Sequence, residues 1–183
     1  MDCLKSRQLV AENRYFSVFY DSLEENGQTP VKDYIVIQPK TRTKQSVYAV
    51  GVLPIKKGKV GLLDIFRHPI EENTWEIPGG FIERGETDAI SAIRELEEEV
   101  GLICEPKNLH DLGTVATSPS TIAAKEHLFA ATDCTLSKAG RTPELGHGQF
   151  KWFTKSEINS MINSGRIQGA STLIALFRAK NLF

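Results

Sequence analysis

Apolar residues fall into three spacings along the chain. Residues 8–40 carry stretches rich in β-branched and aromatic side chains, RYFSVFYDSL and KDYIVIQP, interrupted by the turn-forming ENGQTP; this is the pattern of a strand pair with a turn at Asn26-Gly27. From about Ser46 the runs SVYAVGVLPI and KVGLLDIFRH become almost continuously apolar and are joined by Lys-Lys-Gly-Lys, as in a hairpin of strands buried on both faces. TWEIPGGFIE, CEPKNLHDLGTVATS and KEHLFAATDCTL add further extended segments. The period changes at Ala89, Ile93, Leu96 and Val100, which recur at i, i+4, i+7 and i+11, one face of a helix. Thr87 is the expected N-cap, Asp88 suits the first turn and Gly101 the stop. KWFTKSEINSMINSG passes from a strand into a second helix capped at Thr154 or Ser156, and ASTLIALFRAKN closes as a third, amphipathic one. Strands and helices intermix without a regular βαβ repeat, so layer logic predicts an α/β fold, an α/β/α sandwich around a mixed sheet. Residues 1–43 form a small N-terminal β appendage to a main domain over 44–183. A strand pair is marginal by itself, so the appendage is expected to pack on the main domain or on another subunit.

The polar face of the first helix changes the picture. Glu97, Glu98 and Glu99 are consecutive and Glu95 lies one turn before Glu99. Like charges at i,i+4 destabilise a helix by about 0.2–0.5 kcal/mol per pair, and the nearby base is Arg94 alone. A bound cation would neutralise the stripe, and oxygen ligands one turn apart suit magnesium or manganese. A plain solvated acidic face would use the same residues. Composition narrows the classes further. With 183 residues there is room for one domain with a sizeable core. The net charge of −1 argues against a general grip on nucleic acid. Cys3, Cys104 and Cys134 have neither metal spacing nor a disulfide framework, so a reducing, cytoplasmic setting is expected. No apolar run reaches membrane length, and the N-terminus has no apolar leader core.

Spacing decides between the two readings of the acidic stripe. Gly80, five residues, Glu86, seven residues, Arg94-Glu95-Leu96, one residue, Glu98-Glu99, one residue and Gly101-Leu102 fill the nine specified positions of the Nudix box within residues 80–102. The chain is thereby identified as resembling the Nudix hydrolases, which direct water onto a diphosphate linkage with the help of divalent metals. Shorter stretches resemble the branch that cleaves ADP-ribose and other nucleoside diphosphate sugars: FRHPIEENTWEIPGG before the box, Ser118-Pro119-Ser120 after it, and GRIQGASTLIAL at the last helix. Two features depart from that branch. Its Ser-Pro-Gly ends here in Ser120, and the acidic residues that follow are replaced by Ile122-Ala123-Ala124, with Glu126 two residues later. The departures widen the expected substrate from ADP-ribose to nucleoside diphosphate sugars generally.

The resemblance implies roles for particular residues. Glu95 and Glu99 are expected metal ligands; Glu98 is a third ligand or a carboxylate that positions water. Gly80 lends a carbonyl to a metal or simply makes a tight turn. Glu86 and Arg94 tie loop to helix by an ion pair. Arg67 is a candidate to fork onto the diphosphate or ribose. Glu76, between Trp75 and Ile77, is expensive to bury unpaired, and a hydrogen bond to substrate or a pairing across subunits would explain it. Phe16 is the first candidate among the N-terminal aromatics to reach a nucleobase; the others read as core. The general base is expected on the glycine-rich loop RTPELGHGQF, at Glu144, with Glu98 and Glu126 as alternatives. His68, His110, His127 and His147 show no ligand spacing and read as structural or surface residues. The implied cofactor is Mg2+, with Mn2+ as substitute, and the implied assembly a homodimer. Rival readings are a Nudix pyrophosphatase for nucleoside triphosphates or dinucleoside polyphosphates, and a Nudix-fold module that senses ADP-ribose without cleaving it.

Overall fold

The computed structural model describes residues 3–43, 45–142 and 144–183; Lys44 at the expected domain boundary and Pro143 of the glycine-rich loop lie outside these residues. The chain divides into two compact units, Met1–Tyr48 with Ala116–Lys125, and Ala49–Val115 with Glu126–Phe183.

The first unit is an antiparallel sheet of β1 (Leu4–Glu12), β2 (Phe16–Glu25) and β3 (Gln28–Pro39) in that order. Asn26 (φ 53) and Gly27 (φ 77) both adopt the left-handed region, the turn whose twist matches a hairpin. β1 was not legible as a strand, because its residues LKSRQLVAE are exposed throughout and show no apolar alternation. Pairing with β2 makes it a strand, and Arg7 forks onto the buried Asp21 at 2.7 Å through both nitrogens. Residues 116–125 fasten to β3: Ile37 donates to Thr121 O and accepts from Ala123 N, and the Tyr34 hydroxyl donates to Ser120 O at 2.6 Å. Phe16 stands edge-on to Tyr48, centroids 6.2 Å apart.

The second unit is built on all but the first residues of β4 (Val47–Lys56) and β10 (Lys125–Thr132), with β5 (Lys59–Arg67), β6 (Glu72–Glu76), β7 (Gly79–Phe81), β9 (Leu109–Val115) and β12 (His147–Thr154). Their order is β12-β5-β4-β10-β9, with β6 beside β5 and β7 beside β4. Lys125 N donates to Ser46 O at 2.8 Å, so β10 and β4 start at the same end and run parallel, while the β4–β5, β5–β12 and β9–β10 pairs are antiparallel. The sheet is therefore mixed. Two-residue strands β8 (Leu102–Ile103) and β11 (Thr135–Leu136) pair separately. Three α-helices lie among the unit's described residues: α1 (Asp88–Val100), α2 (Lys155–Asn163) and α3 (Ala170–Arg178). α2 begins with a capping box between Thr154 and Glu157. Leu53, Ile55, Val60, Leu62, Leu128 and Ala130 form one core with Ile158 and Met161 of α2 and Ala175 and Leu176 of α3. The alternate residues Val52, Leu63, Ile65, Phe129 and Ala131 are buried as well and point to the opposite face. The fold is α/β, helices flanking a mixed sheet. No helix of the described residues is long and apolar enough to cross a membrane.

Candidate active site

β7 brings backbone up to the carboxylates of α1. Gly79 pairs with Gly51 and Gly80 with Val50. A β-carbon on Gly79 would sit 2.2 Å from Val50 O, so that position needs glycine, and one on Gly80 would sit 2.5 Å from Glu95 Oε1 and displace that carboxylate. With those side chains absent, Gly79 N donates to Glu99 Oε2 at 2.6 Å.

α1 follows its expected caps: Thr87 accepts from Ile90 N, and Gly101 closes the helix at φ 69. Its buried face differs from expectation. Ser91, Ala92, Glu95, Leu96, Glu99 and Val100 are buried, whereas Ala89 and Ile93 are only half-buried. The two glutamates belong to the inward face because partners hold them there. Arg94 is the hub: it donates to Glu86 (3.0 Å), Glu95 (2.7 Å), Glu98 (3.1 Å) and Phe81 O (3.0 Å). The acidic stripe is thus partly neutralised from within, and Glu86, which also accepts from Ser91 Oγ at 2.6 Å, ties the loop to the helix. Burial raises the pKa of Glu95 against the pull of Arg94. Burial likewise pushes the Glu99 carboxyl up to about 8, with the Gly79 N–H opposing and the charges of Glu95 and Glu144 adding to it.

The segment after β11 is pinned to the end of α1. Ser137 N donates to Gly101 O, the Ser137 hydroxyl to Glu97 Oε1 at 2.5 Å, and Thr142 N to Glu98 O at 2.7 Å. Glu144 and His147 follow. Gly146 (φ +85) lies where a β-carbon would be 3.0 Å from Phe66 O, and one on Gly148 would be 3.1 Å from Asp64 Oδ2; these glycines permit close packing on β5. A register shift between His147 and Phe150 marks a bulge in β12, a device that re-aims side chains. His147 Nδ1 ends 3.5 Å from Glu99 Oε1 and Nε2 ends 3.8 Å from Glu144 Oε2.

Arg67 and Glu76, at the ends of β5 and β6, are each other's partners, in a two-bond fork of 2.9 and 2.7 Å. Glu76 therefore has its counter-ion within the chain. Arg67 remains about half exposed, at 48%, and the charges of Glu99 and Glu126 also act on it. Glu126 accepts a very short hydrogen bond from Ser171 of α3. Phe16 belongs to the other unit, where its surroundings are those given above.

Glu99, Glu144 and His147 can each offer a donor atom, all within 4.8 Å of one another. One buried carboxylate held far above its ordinary pKa, one exposed carboxylate, and the buried His147 Nδ1, unpartnered among the described residues, make a donor set that fits a divalent cation. Sequence reasoning placed His147 among the structural or surface histidines, because the set is assembled from distant segments and its local signal is Glu144-x-x-His147. The donation from Gly79 N and the reach of Arg94 to three carboxylates also became visible only in three dimensions.

Comparison with known proteins accords with this geometry. A family profile described as NUDIX domain matches residues 45–173. The methanol dehydrogenase activator of Bacillus methanolicus is 33% identical over 178 residues, 94% of this chain and 89% of that protein. The ADP-ribose pyrophosphatase of Bacillus subtilis (strain 168) is 32% identical over 132 residues, 70% and 69% of the two chains. The crystal structure of an ADP compounds hydrolase superposes with a TM-score of 0.79 at 22% identity, over 98% of this chain and 92% of that one, which speaks to the fold.

Proposed function

The chain belongs to the Nudix family and is related to ADP-ribose pyrophosphatases, and from that premise we propose that it hydrolyses the diphosphate linkage of ADP-ribose or a related nucleoside diphosphate sugar. The products are a nucleoside monophosphate and a sugar phosphate; from ADP-ribose they are AMP and ribose 5-phosphate. The observation that carries the reading is the pair of buried carboxylates, Glu95 and Glu99, packed beneath Gly79-Gly80.

Glu95, Glu98, Glu99 and the Gly80 carbonyl would hold magnesium or manganese, which supplies Lewis acidity toward the diphosphate and lowers the pKa of the attacking water. Arg94 keeps Glu95 and Glu98 aligned on α1. Glu144 is our candidate for the general base: its carboxylate is about half exposed and close enough to raise the pKa of both Glu95 and Glu99. Glu98, 43% exposed, is the alternative. Arg67 keeps enough exposure to turn part of its fork toward substrate phosphate while Glu76 orients it. Every carboxylate of the box is retained, which favours catalysis over sensing.

The N-terminal sheet is assigned to a homodimer interface, and Phe16 to the nucleobase. In support, Leu4, Leu9, Val10, Tyr20 and Ile35 of that sheet are 39–50% exposed, more apolar surface than a small sheet leaves open without use. Light scattering on the full chain checks the assembly, and a monomer would count against it. Three free cysteines suit a reducing cytoplasm.

Release of phosphate through a coupling phosphatase, from ADP-ribose, GDP-mannose, UDP-glucose and diadenosine polyphosphates in parallel, tests the substrate class. A preference for polyphosphates over every sugar nucleotide would sink it.

A further inference from the structure

Nδ1 of His147 is a buried nitrogen without a hydrogen-bond partner among the described residues, on a side chain only 9% exposed. It lies 3.5 Å from Glu99 Oε1, and Nε2 lies 3.8 Å from Glu144 Oε2. Both separations are too long for good hydrogen bonds, and a buried polar atom left unpaired is unfavourable. The other buried or half-buried histidines differ: His110 bonds Thr132 Oγ1 at 3.0 Å, and His127 bonds Asp88 and Asp111 at 2.7 and 2.9 Å. Donors that share one ion about 2.0–2.2 Å away stand no more than about 4.4 Å apart, so the 3.5 Å separation of Nδ1 and Glu99 is one that a single cation spans.

Resting on the reading of Glu99 as a metal ligand, we propose that His147 gives Nδ1 to the same ion and makes the site a mixed nitrogen–oxygen one that selects a borderline transition ion, manganese(II) or cobalt(II), over magnesium. The register shift at the start of β12 and the close approach of Gly146 and Gly148 to β5 hold the backbone on both sides of His147. With Nδ1 given to the ion, the ring proton would sit on Nε2, the nitrogen on the side of Glu144. A carboxylate behind an imidazole ligand is the usual outer partner of such sites. Magnesium prefers oxygen donors and gives up water reluctantly, whereas imidazole suits the later divalent ions.

The test uses full-length protein stripped with a chelator and loaded with manganese(II), read by pulsed electron paramagnetic resonance and by equilibrium affinity for Mn2+, Co2+ and Mg2+. The wild type should show nitrogen modulation from a coordinated imidazole and bind Mn2+ more tightly than Mg2+. His147→Gln should lose the modulation and bind Co2+ at least about tenfold more weakly, with Mg2+ affinity changed by less than about threefold. Mn2+ binding without nitrogen modulation would overturn the role of His147 and leave the carboxylate metal site standing. No Mn2+ binding at all would overturn the metal site beneath it. Should His147→Gln fail to fold, the wild-type spectrum alone decides.

Discussion

Two histidines of the second unit each stand between two carboxylates, with opposite results. Around His127 the contacts are 2.7 Å to Asp88 and 2.9 Å to Asp111; around His147 they are 3.5 Å to Glu99 and 3.8 Å to Glu144. Burial is the largest influence on both rings and favours the neutral form. At His127 the hydrogen bonds to Asp88 and Asp111 outweigh it and raise the pKa. At His147 the charge of Glu144 opposes burial, Arg67 and Arg141 reinforce it, and the pKa falls. The first arrangement is complete: it links the start of α1 to β9 and β10 and leaves nothing for a ligand to supply. The second brings the ring within 3.5 and 3.8 Å of two carboxylates, too far for good hydrogen bonds. The same residue types close a structural link around His127 and form a looser cluster around His147, the one we propose binds a cation.

Glu99→Gln should separate the two arrangements most sharply. Turnover should fall by well over about 100-fold, the loss that even an outer partner of a metal ligand can cause, while the melting temperature of metal-free protein holds or rises, since a desolvated carboxyl is gone. Near-normal turnover in the presence of Mg2+ or Mn2+ would remove Glu99 from the site. Next comes the base. Glu144→Gln should lower kcat by about 10²–10⁴-fold with KM and Mg2+ affinity nearly unchanged; if Glu98→Gln has that effect and Glu144→Gln does not, the base lies on α1. Arg67→Lys should raise KM roughly tenfold, because an ammonium cannot reproduce the fork, and an unchanged KM would confine Arg67 to holding Glu76.

The smallest effect belongs to the closed arrangement. His127→Gln should leave turnover intact and destabilise the fold by about 1–2 kcal/mol, roughly 2–4 °C per kcal/mol at this size. The deficit has a pH window. His127 has a raised pKa, so its contribution is complete below the ordinary value of 6.5 and is lost as pH rises through the raised one. Asp111 has a lowered pKa, so its share is complete above 3.8 and is lost as pH falls through the lowered value. Melting curves of both proteins should therefore diverge between pH 3.8 and 6.5 and converge above. A deficit that does not change with pH would mean that packing, not charge, holds the ring.

Much of this was legible in the sequence where the signal is local. The caps at Thr87 and Thr154, the turn at Asn26-Gly27 and the box spacing all depend on neighbours within a few residues. β1 was not legible, because an exposed edge strand takes its conformation from its partner rather than from its own alternation. The inward face of α1 was misjudged for a related reason. Apolarity placed Ala89 and Ile93 inside, but Arg94, Gly79 and the gap left by Gly80 draw Glu95 and Glu99 there instead. The Arg67–Glu76 fork and the approach of His147 to Glu99 join separate strands and helices, and such pairings follow from topology rather than from spacing.

The central claim is that Glu99 anchors a metal-dependent centre for cleaving a diphosphate linkage. Chelator-stripped wild type and Glu99→Gln, each incubated with ADP-ribose while divalent metal is titrated back, test it by AMP release. The account predicts no release without metal, full recovery in the wild type as metal is restored, and none in Glu99→Gln at any metal concentration. Full wild-type hydrolysis in excess chelator, or recovery of Glu99→Gln at the same metal concentration as the wild type, would contradict it.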